Sequence, residues 1–244
     1  MSGLFLNKWL TGLLDGLFPR VCVLCDAPGH QHLELCEGCI ADLPWLKSCC
    51  AVCAVPLPLN QQNLCGQCLA EEPPFSHCIS AFEYRYPVDR LIIEFKFSQQ
   101  LIIGKVLAYL AADIIQQQTN ENELPDLLVP VPIHPKRLRE RGFNQALEIA
   151  DVISQRLAIP VDYQSCSRQI NTASQKSLSA KRRRSNLKGA FSVSRSLTDQ
   201  SIAIVDDVLT TGATAEALTR CMVKAGAKKV QVWTLARTPD PLIG

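Results

Sequence analysis

Four Cys-x-x-Cys pairs in fewer than fifty residues restrict what the front of this chain can become: Cys22 and Cys25, Cys36 and Cys39, Cys50 and Cys53, Cys65 and Cys68. Such a turn sets two thiolates one edge of a tetrahedron apart, so two pairs complete a four-sulfur zinc site. Four pairs suit two structural zinc ions. A disulfide framework would need an oxidising compartment. The N-terminus shows no export signal, and iron–sulfur runs are spaced differently, so zinc is the expectation. The spacing leaves open whether consecutive pairs share a metal or the first and third interleave with the second and fourth. It also leaves open whether Cys49 replaces its neighbour Cys50. His30 and His32 read as loop residues.

Ten of the twelve cysteines lie between Cys22 and Cys78, which divides the chain into a Cys-rich front and a Cys-poor body. Ahead of the front, Leu6, Leu10, Leu13, Leu14 and Leu17 share one helical face, with Lys8, Thr11 and Asp15 on the other. The reading is an amphipathic helix over 1–20 packed on its own protein, with loose attachment to a membrane surface as the alternative. No apolar run is long enough for a transmembrane segment, which predicts a cytoplasmic chain, peripheral at the inner membrane in that alternative. The net charge of +2 does not by itself argue for a polyanion partner. Positive charge is nonetheless clustered, at Lys136, Arg137, Arg139 and Arg141 and again at Lys181 to Arg184.

A zinc-bearing front over 21–76 therefore precedes a body over 77–244. In the body, "CISAFEY" reads as a strand and "VDRLIIEFKF" and "IGKVLAYLAADIIQQQ" as helices. "LLVPVP" is a buried strand leading through "IHPKRLRERG" into the helix "FNQALEIADVISQRL". "IPVDYQSC" and "AFSV" read as strands, and "SIAIVDD", "AEALTRCMVKAGA" and "KKVQVWTLAR" as strand, helix and strand. This alternation predicts an α/β fold, a mainly parallel sheet flanked by helices, with ligands taken beyond the carboxyl ends of its strands.

At one such end stands "IAIVDDVLTTGAT". Thr210, Thr211, Gly212, Ala213 and Thr214 lead into a helix, so free backbone N–H groups and the positive end of the helix dipole face the turn. Small residues let a phosphate approach, and hydroxyls add donors. The Lys of a triphosphate-binding P-loop is missing. Asp206 and Asp207 would repel a phosphate but suit vicinal hydroxyls. A ligand with a phosphate a few ångströms from a diol is a ribose 5-phosphate.

The stretch resembles the phosphoribosyl-pyrophosphate (PRPP) signature of type I phosphoribosyltransferases. More narrowly, the CxxC set, "FKF", "VPVPIHPKRLRERGFNQA", "SQKSLSAKRRRSNLKGAF" and the PRPP loop, in this order, resemble the ComF family of bacterial competence and DNA-utilisation proteins. The resemblance implies a double zinc ribbon ahead of a type I phosphoribosyltransferase-like domain. It implies that Asp206 and Asp207 hold the ribose hydroxyls, or act in catalysis, while Thr210 to Thr214 enclose the 5-phosphate. His134, Pro135, Lys136 and Arg137 would meet the diphosphate, with Arg139 and Arg141 adding charge or bracing the helix. Residues 168–186 would form a lid with Gln175, Lys176 and Arg183 as contacts, and Lys96 is a weaker candidate. If the domain turns over, Mg²⁺ would bridge the diphosphate and ribose oxygens. Three readings follow: a PRPP-binding protein acting on incoming single-stranded DNA with other DNA-uptake proteins, an active Mg-dependent phosphoribosyltransferase, and a PRPP-sensing regulator. No helix-turn-helix or RNA-recognition signature is present, and nothing in the sequence names an acceptor.

Overall fold

The computed structural model describes residues 19–59, 63–170, 187 and 189–240. The chain divides into two compact units, Met1–Leu43 and Pro44–Gly244. The expected helix over 1–20 and the lid contacts Gln175, Lys176 and Arg183 lie outside the described residues.

In the first unit the chain reverses after Cys22. The Cys22 amide donates to the Ala27 carbonyl at 2.8 Å, and Asp26 takes a left-handed conformation at φ 62°. The strand-like return brings Cys36 to the start of α1 (Glu37–Ala41), whose first turn it caps by accepting from the Cys39 amide. The second unit repeats this device. Cys50 donates to Val55 at 2.9 Å, Ala54 is left-handed at φ 54°, and Cys65 caps α2 (Gly66–Ala70) through the Cys68 amide.

The rest of the second unit carries a parallel sheet of β1 (Cys78–Glu83), β2 (Leu127–Pro130), β5 (Ser201–Leu209) and β6 (Lys229–Arg237). Its order is β1-β6-β5-β2. Strand residues alternate between two covered faces, so the strands read as nearly continuous apolar runs. Leu127, Val129, Ile202, Ile204, Val230 and Val232 join one apolar cluster with Leu218 and Met222 of α7 (Ala213–Lys224) and with the second Cys-x-x-Cys hairpin. Against the sheet's other face pack α4 (Leu101–Gln118) and α6 (Gln145–Leu157), with α3 (Val88–Phe97) resting on α4. A short helix, α5 (Pro135–Arg141), follows β2.

The segment "IPVDYQSC" departs from expectation. It makes only one bridge to the sheet, Leu128 with Val161, before turning away. The cause is local: Asp162 Oδ1 accepts from the amides of Gln164 at 3.0 Å and Ser165 at 2.9 Å, a side-chain turn that competes with strand extension. The chain then forms β3 (Cys166–Arg168), antiparallel to β4 (Phe191–Val193), outside the main sheet.

Where α4 passes α3, Gly104 is buried, and a Cβ added there would overlap the Phe95 ring. That close approach seats Phe95 and so fixes the last turn of α3, which carries Lys96. Gly104→Ala should therefore lower stability by about 1–3 kcal/mol through overpacking. Denaturant unfolding checks this, and an unchanged midpoint would show that the helices separate freely.

Candidate functional site

The two four-cysteine groups are the simpler of the two sites. Cys22, Cys25, Cys36 and Cys39 form one, and Cys50, Cys53, Cys65 and Cys68 the other, with the sulfurs of each group within 4.8 Å of one another. Consecutive pairs therefore share a site, because each hairpin returns the chain to its own knuckle. Cys50, not Cys49, is in the second group. The spacing suits tetrahedral Zn²⁺ with Zn–S bonds of about 2.3 Å. Amides support the sulfurs, with Cys39 N to Cys36 Sγ and Cys68 N to Cys65 Sγ both at 3.4 Å. The thiols of a group do not titrate alike. Burial pushes Cys22 up, but the amides of Cys36, Leu24 and Cys25 outweigh it and bring it down to about 6. Burial and the neighbouring thiols hold Cys39 well above the usual range. A dication resolves this conflict by drawing all four to thiolate. Both sites hold structural zinc, with no position left for a substrate.

The second site gathers at the carboxyl end of the sheet. The register pairs Val205 with Pro130 across β5 and β2, and the Val131 amide donates to the Val205 carbonyl at 2.9 Å. The loop after β2 therefore lies beside Asp206 and Asp207. In that loop His134 caps α5, its Nδ1 accepting from the Lys136 amide at 3.2 Å, and Pro135 takes the first helical position. Gly142 ends α5 at φ 85°. Asn144 then ties the next helix to the loop: its Nδ2 donates to the Val131 carbonyl at 3.2 Å and its Oδ1 accepts from Ala146 N at 3.1 Å.

Asp207 is buried and Asp206 partly so. Burial first, and the Asp207 charge second, push the Asp206 carboxyl up to about 7, although Lys96, the Asp207 amide and Arg168 pull the other way. Lys96 Nζ pairs with Asp207 Oδ2 at 2.6 Å. A lone lysine on an amphipathic helix ordinarily faces solvent, which makes it the weaker candidate in the sequence. Arg168, at the end of β3, is a second neighbour: burial and Arg137 lower its pKa while Asp206 opposes them. Arg141 is likewise drawn down by burial, with Asp207 opposing and Arg137 adding to the effect. Its guanidinium lies 5.3 Å from the centre of the exposed Phe97 ring. Tyr84, just past β1, completes the rim; burial raises its pKa, and it senses Lys96, Asp89 and Asp207.

Beyond the acids, Thr210, Thr211 and Gly212 turn the chain into α7, where Ala213 and Thr214 occupy the first turn. Gly212 sits at φ 79°, a conformation that glycine adopts without strain. The first-turn amides have no acceptor within the helix. A phosphate-sized anion would find them there, together with the positive end of the dipole. Behind this turn a shallow cleft, partly open to solvent, lies between it and the second cysteine group. The cleft is lined by Thr211, Gly212, Phe75, Cys68 and Arg237 and does not include the acids.

Of the residues expected in the site, Asp206, Asp207, Thr210 to Thr214 and His134 to Arg137 lie at one end of the sheet. Arg168 and Arg237 each end a strand, and nothing local in the sequence marks either for the site.

Residues 13–69 match the family model of the double zinc ribbon domain, and residues 140–242 that of the phosphoribosyl transferase domain. The chain is 34% identical over 224 residues to DNA utilization protein YhgH of Escherichia coli O157:H7, covering 90% of this chain and 98% of that protein. It is 36% identical over 227 residues to competence protein F of Haemophilus influenzae, covering 88% and 96% respectively. A looser likeness is the solved structure of a purine phosphoribosyltransferase from Pyrococcus horikoshii, with 21% identity, 54% of this chain, 70% of that chain and a TM-score of 0.34.

Two outcomes test these sites. Metal analysis should find two zinc ions per chain, still two in Cys49→Ser and one in Cys50→Ser; a loss in Cys49→Ser would reassign the ligand. Asp206 gives the second. An unfolded Asp titrates near 3.9, so the folded group, at about 7, keeps a proton that the unfolded chain has lost. Stability should fall as pH rises from about 4 to about 7 and stay reduced above that. Asp206→Asn removes the loss, so its gain in Tm over the parent should grow between about pH 5 and about pH 8, by about 2–4 °C per kcal/mol. An equal gain at both pH values, read by calorimetry, would show a carboxylate ionised throughout.

Proposed function

The chain belongs to the ComF family, and from that premise we propose that it is a PRPP-binding protein acting in the uptake or use of incoming single-stranded DNA. The carrying observation is the pair Asp206 and Asp207 at the end of β5, one short turn ahead of the glycine-led start of α7. Such a pair accepts from vicinal ribose hydroxyls, and Thr210 to Thr214 cradle the 5-phosphate. Lys136 and Arg137, with Arg168 and Arg141, supply the charge that a diphosphate needs, on a turn that His134 caps and Pro135 opens. Lys96 holds Asp207 oriented before a ligand arrives.

The donor set fits Mg²⁺, since the carboxylates and a bound diphosphate together offer hard oxygen ligands. When bound, the ion would neutralise diphosphate charge. This chain's own residues orient the sugar and balance its charge. Names of the relatives point toward DNA: one is a DNA utilization protein and another a competence protein. The basic rim of the site suits backbone phosphates, a contact that weakens with salt. Among the described residues no helix is long and apolar enough to cross a membrane. The proposed location is the cytoplasm, among other DNA-uptake proteins, with peripheral contact at the inner membrane as the alternative. A second reading, turnover, is favoured by Asp207, because a carboxylate paired with Lys96 beside the sugar can stabilise positive charge developing on it.

Calorimetric titration with PRPP and Mg²⁺ should show binding that weakens at least about tenfold in Asp206→Asn/Asp207→Asn. Absence of binding to the parent would sink the ribose-phosphate assignment. Pyrophosphate release with a panel of nucleobases, lost in the same double variant, would establish turnover. Retention on single-stranded DNA that survives the double variant would place DNA on a separate surface.

A further inference from the structure

Arg237 ends β6 and is buried. Its guanidinium spans two parts of the molecule that are far apart in sequence. On one side Nε donates to the carbonyl of Cys53, a member of the second zinc site, at 2.9 Å. On the other side Nη1 donates to the carbonyls of Leu209 at 3.0 Å and of Thr210, and to Thr238 O at 2.9 Å and Oγ1 at 3.2 Å. A guanidinium can do this because its planar fork presents donors in several fixed directions at once.

The direction of these bonds matters. In a trans peptide the carbonyl of one residue and the amide of the next point opposite ways. Drawing the Leu209 and Thr210 carbonyls back onto Arg237 therefore turns the Thr210 and Thr211 amides away from it, to the front of the turn. A second observation joins the same regions: Cys50, Cys53, Val55 and Phe75 belong to one apolar cluster with Leu209 and Ala213.

We propose that Arg237 is a positioning residue that fastens the turn Thr210–Thr214 to the second zinc site, so that zinc in that site, and not in the first, sets the aim of the phosphate-binding amides. The proposal rests on reading that turn as a phosphate loop, but its test needs no ligand. Amide hydrogen exchange is measured on the full zinc-loaded chain at the two bonded amides that bound the loop and report on it, Glu216, which donates to the Gly212 carbonyl at 2.8 Å, and Thr238, which donates to the Leu209 carbonyl at 3.1 Å, with the amides of α6 as a gauge of the global fold. Arg237→Lys, which keeps the charge and loses the fork, should retain two zinc ions while the loop exchanges at least about tenfold faster. Cys68→Ser should speed the loop likewise, and Cys25→Ser should leave it as in the parent. Parent-like protection in Arg237→Lys, or equal loop exchange in Cys68→Ser and Cys25→Ser, overturns the proposal. Should Arg237→Lys fail to fold, the comparison of the two cysteine variants decides alone. Failure of the ribose-phosphate reading would show separately, as a parent protein that binds no PRPP.

Discussion

Two carboxylates on adjacent residues at the end of a buried strand repel each other and resist leaving water, and the second unit is arranged around that conflict. Asp206 yields by holding its proton more tightly. Asp207 meets Lys96, which α3 delivers from over a hundred residues earlier in the chain. Arg168 and Arg141 stand farther off, close enough to feel the acids and close enough to Arg137 to feel one another. Positive and negative groups are thus interleaved at one end of the sheet. A ligand bringing phosphates beside hydroxyls would complement both, giving anions to the arginines and donors to the acids. The raised pKa of Asp206 is the visible cost of gathering these groups at one strand end.

Much of this was legible in the sequence, for physical reasons that differ by residue. Ile202 to Thr214 declares itself because strand, acids, glycine and helix start are contiguous, so one window holds the whole device. The sheet was legible because strands buried on both faces are apolar throughout. Zinc pairing was not, since a CxxC turn specifies an edge of a tetrahedron and not the partner edge. Nor was the fate of "IPVDYQSC", where a single aspartate turns the backbone against a strand-like composition. Lys96 and Arg237 were obscured in another way. Each sits at a position whose local pattern has a sufficient ordinary explanation, a helix surface and a strand end, and each acquires its role from a partner more than a hundred residues away.

The repeated cysteine hairpin shows how one local design comes to serve two purposes. Both copies use a left-handed residue after the first knuckle, Asp26 and Ala54, and a cysteine that caps a five-residue helix. Neither copy leaves a ligand position open, so metal contributes folding free energy and no chemistry. The copies differ in their surroundings. Cys25 is exposed, whereas its counterpart Cys53 is buried and its carbonyl is taken by Arg237. In the second copy the free energy of metal binding is thus coupled to the end of β5, because a shared apolar cluster and a shared guanidinium leave neither side free to relax alone. A four-sulfur site that is chemically inert can in this way govern a binding loop, provided one buried side chain ties the two backbones together.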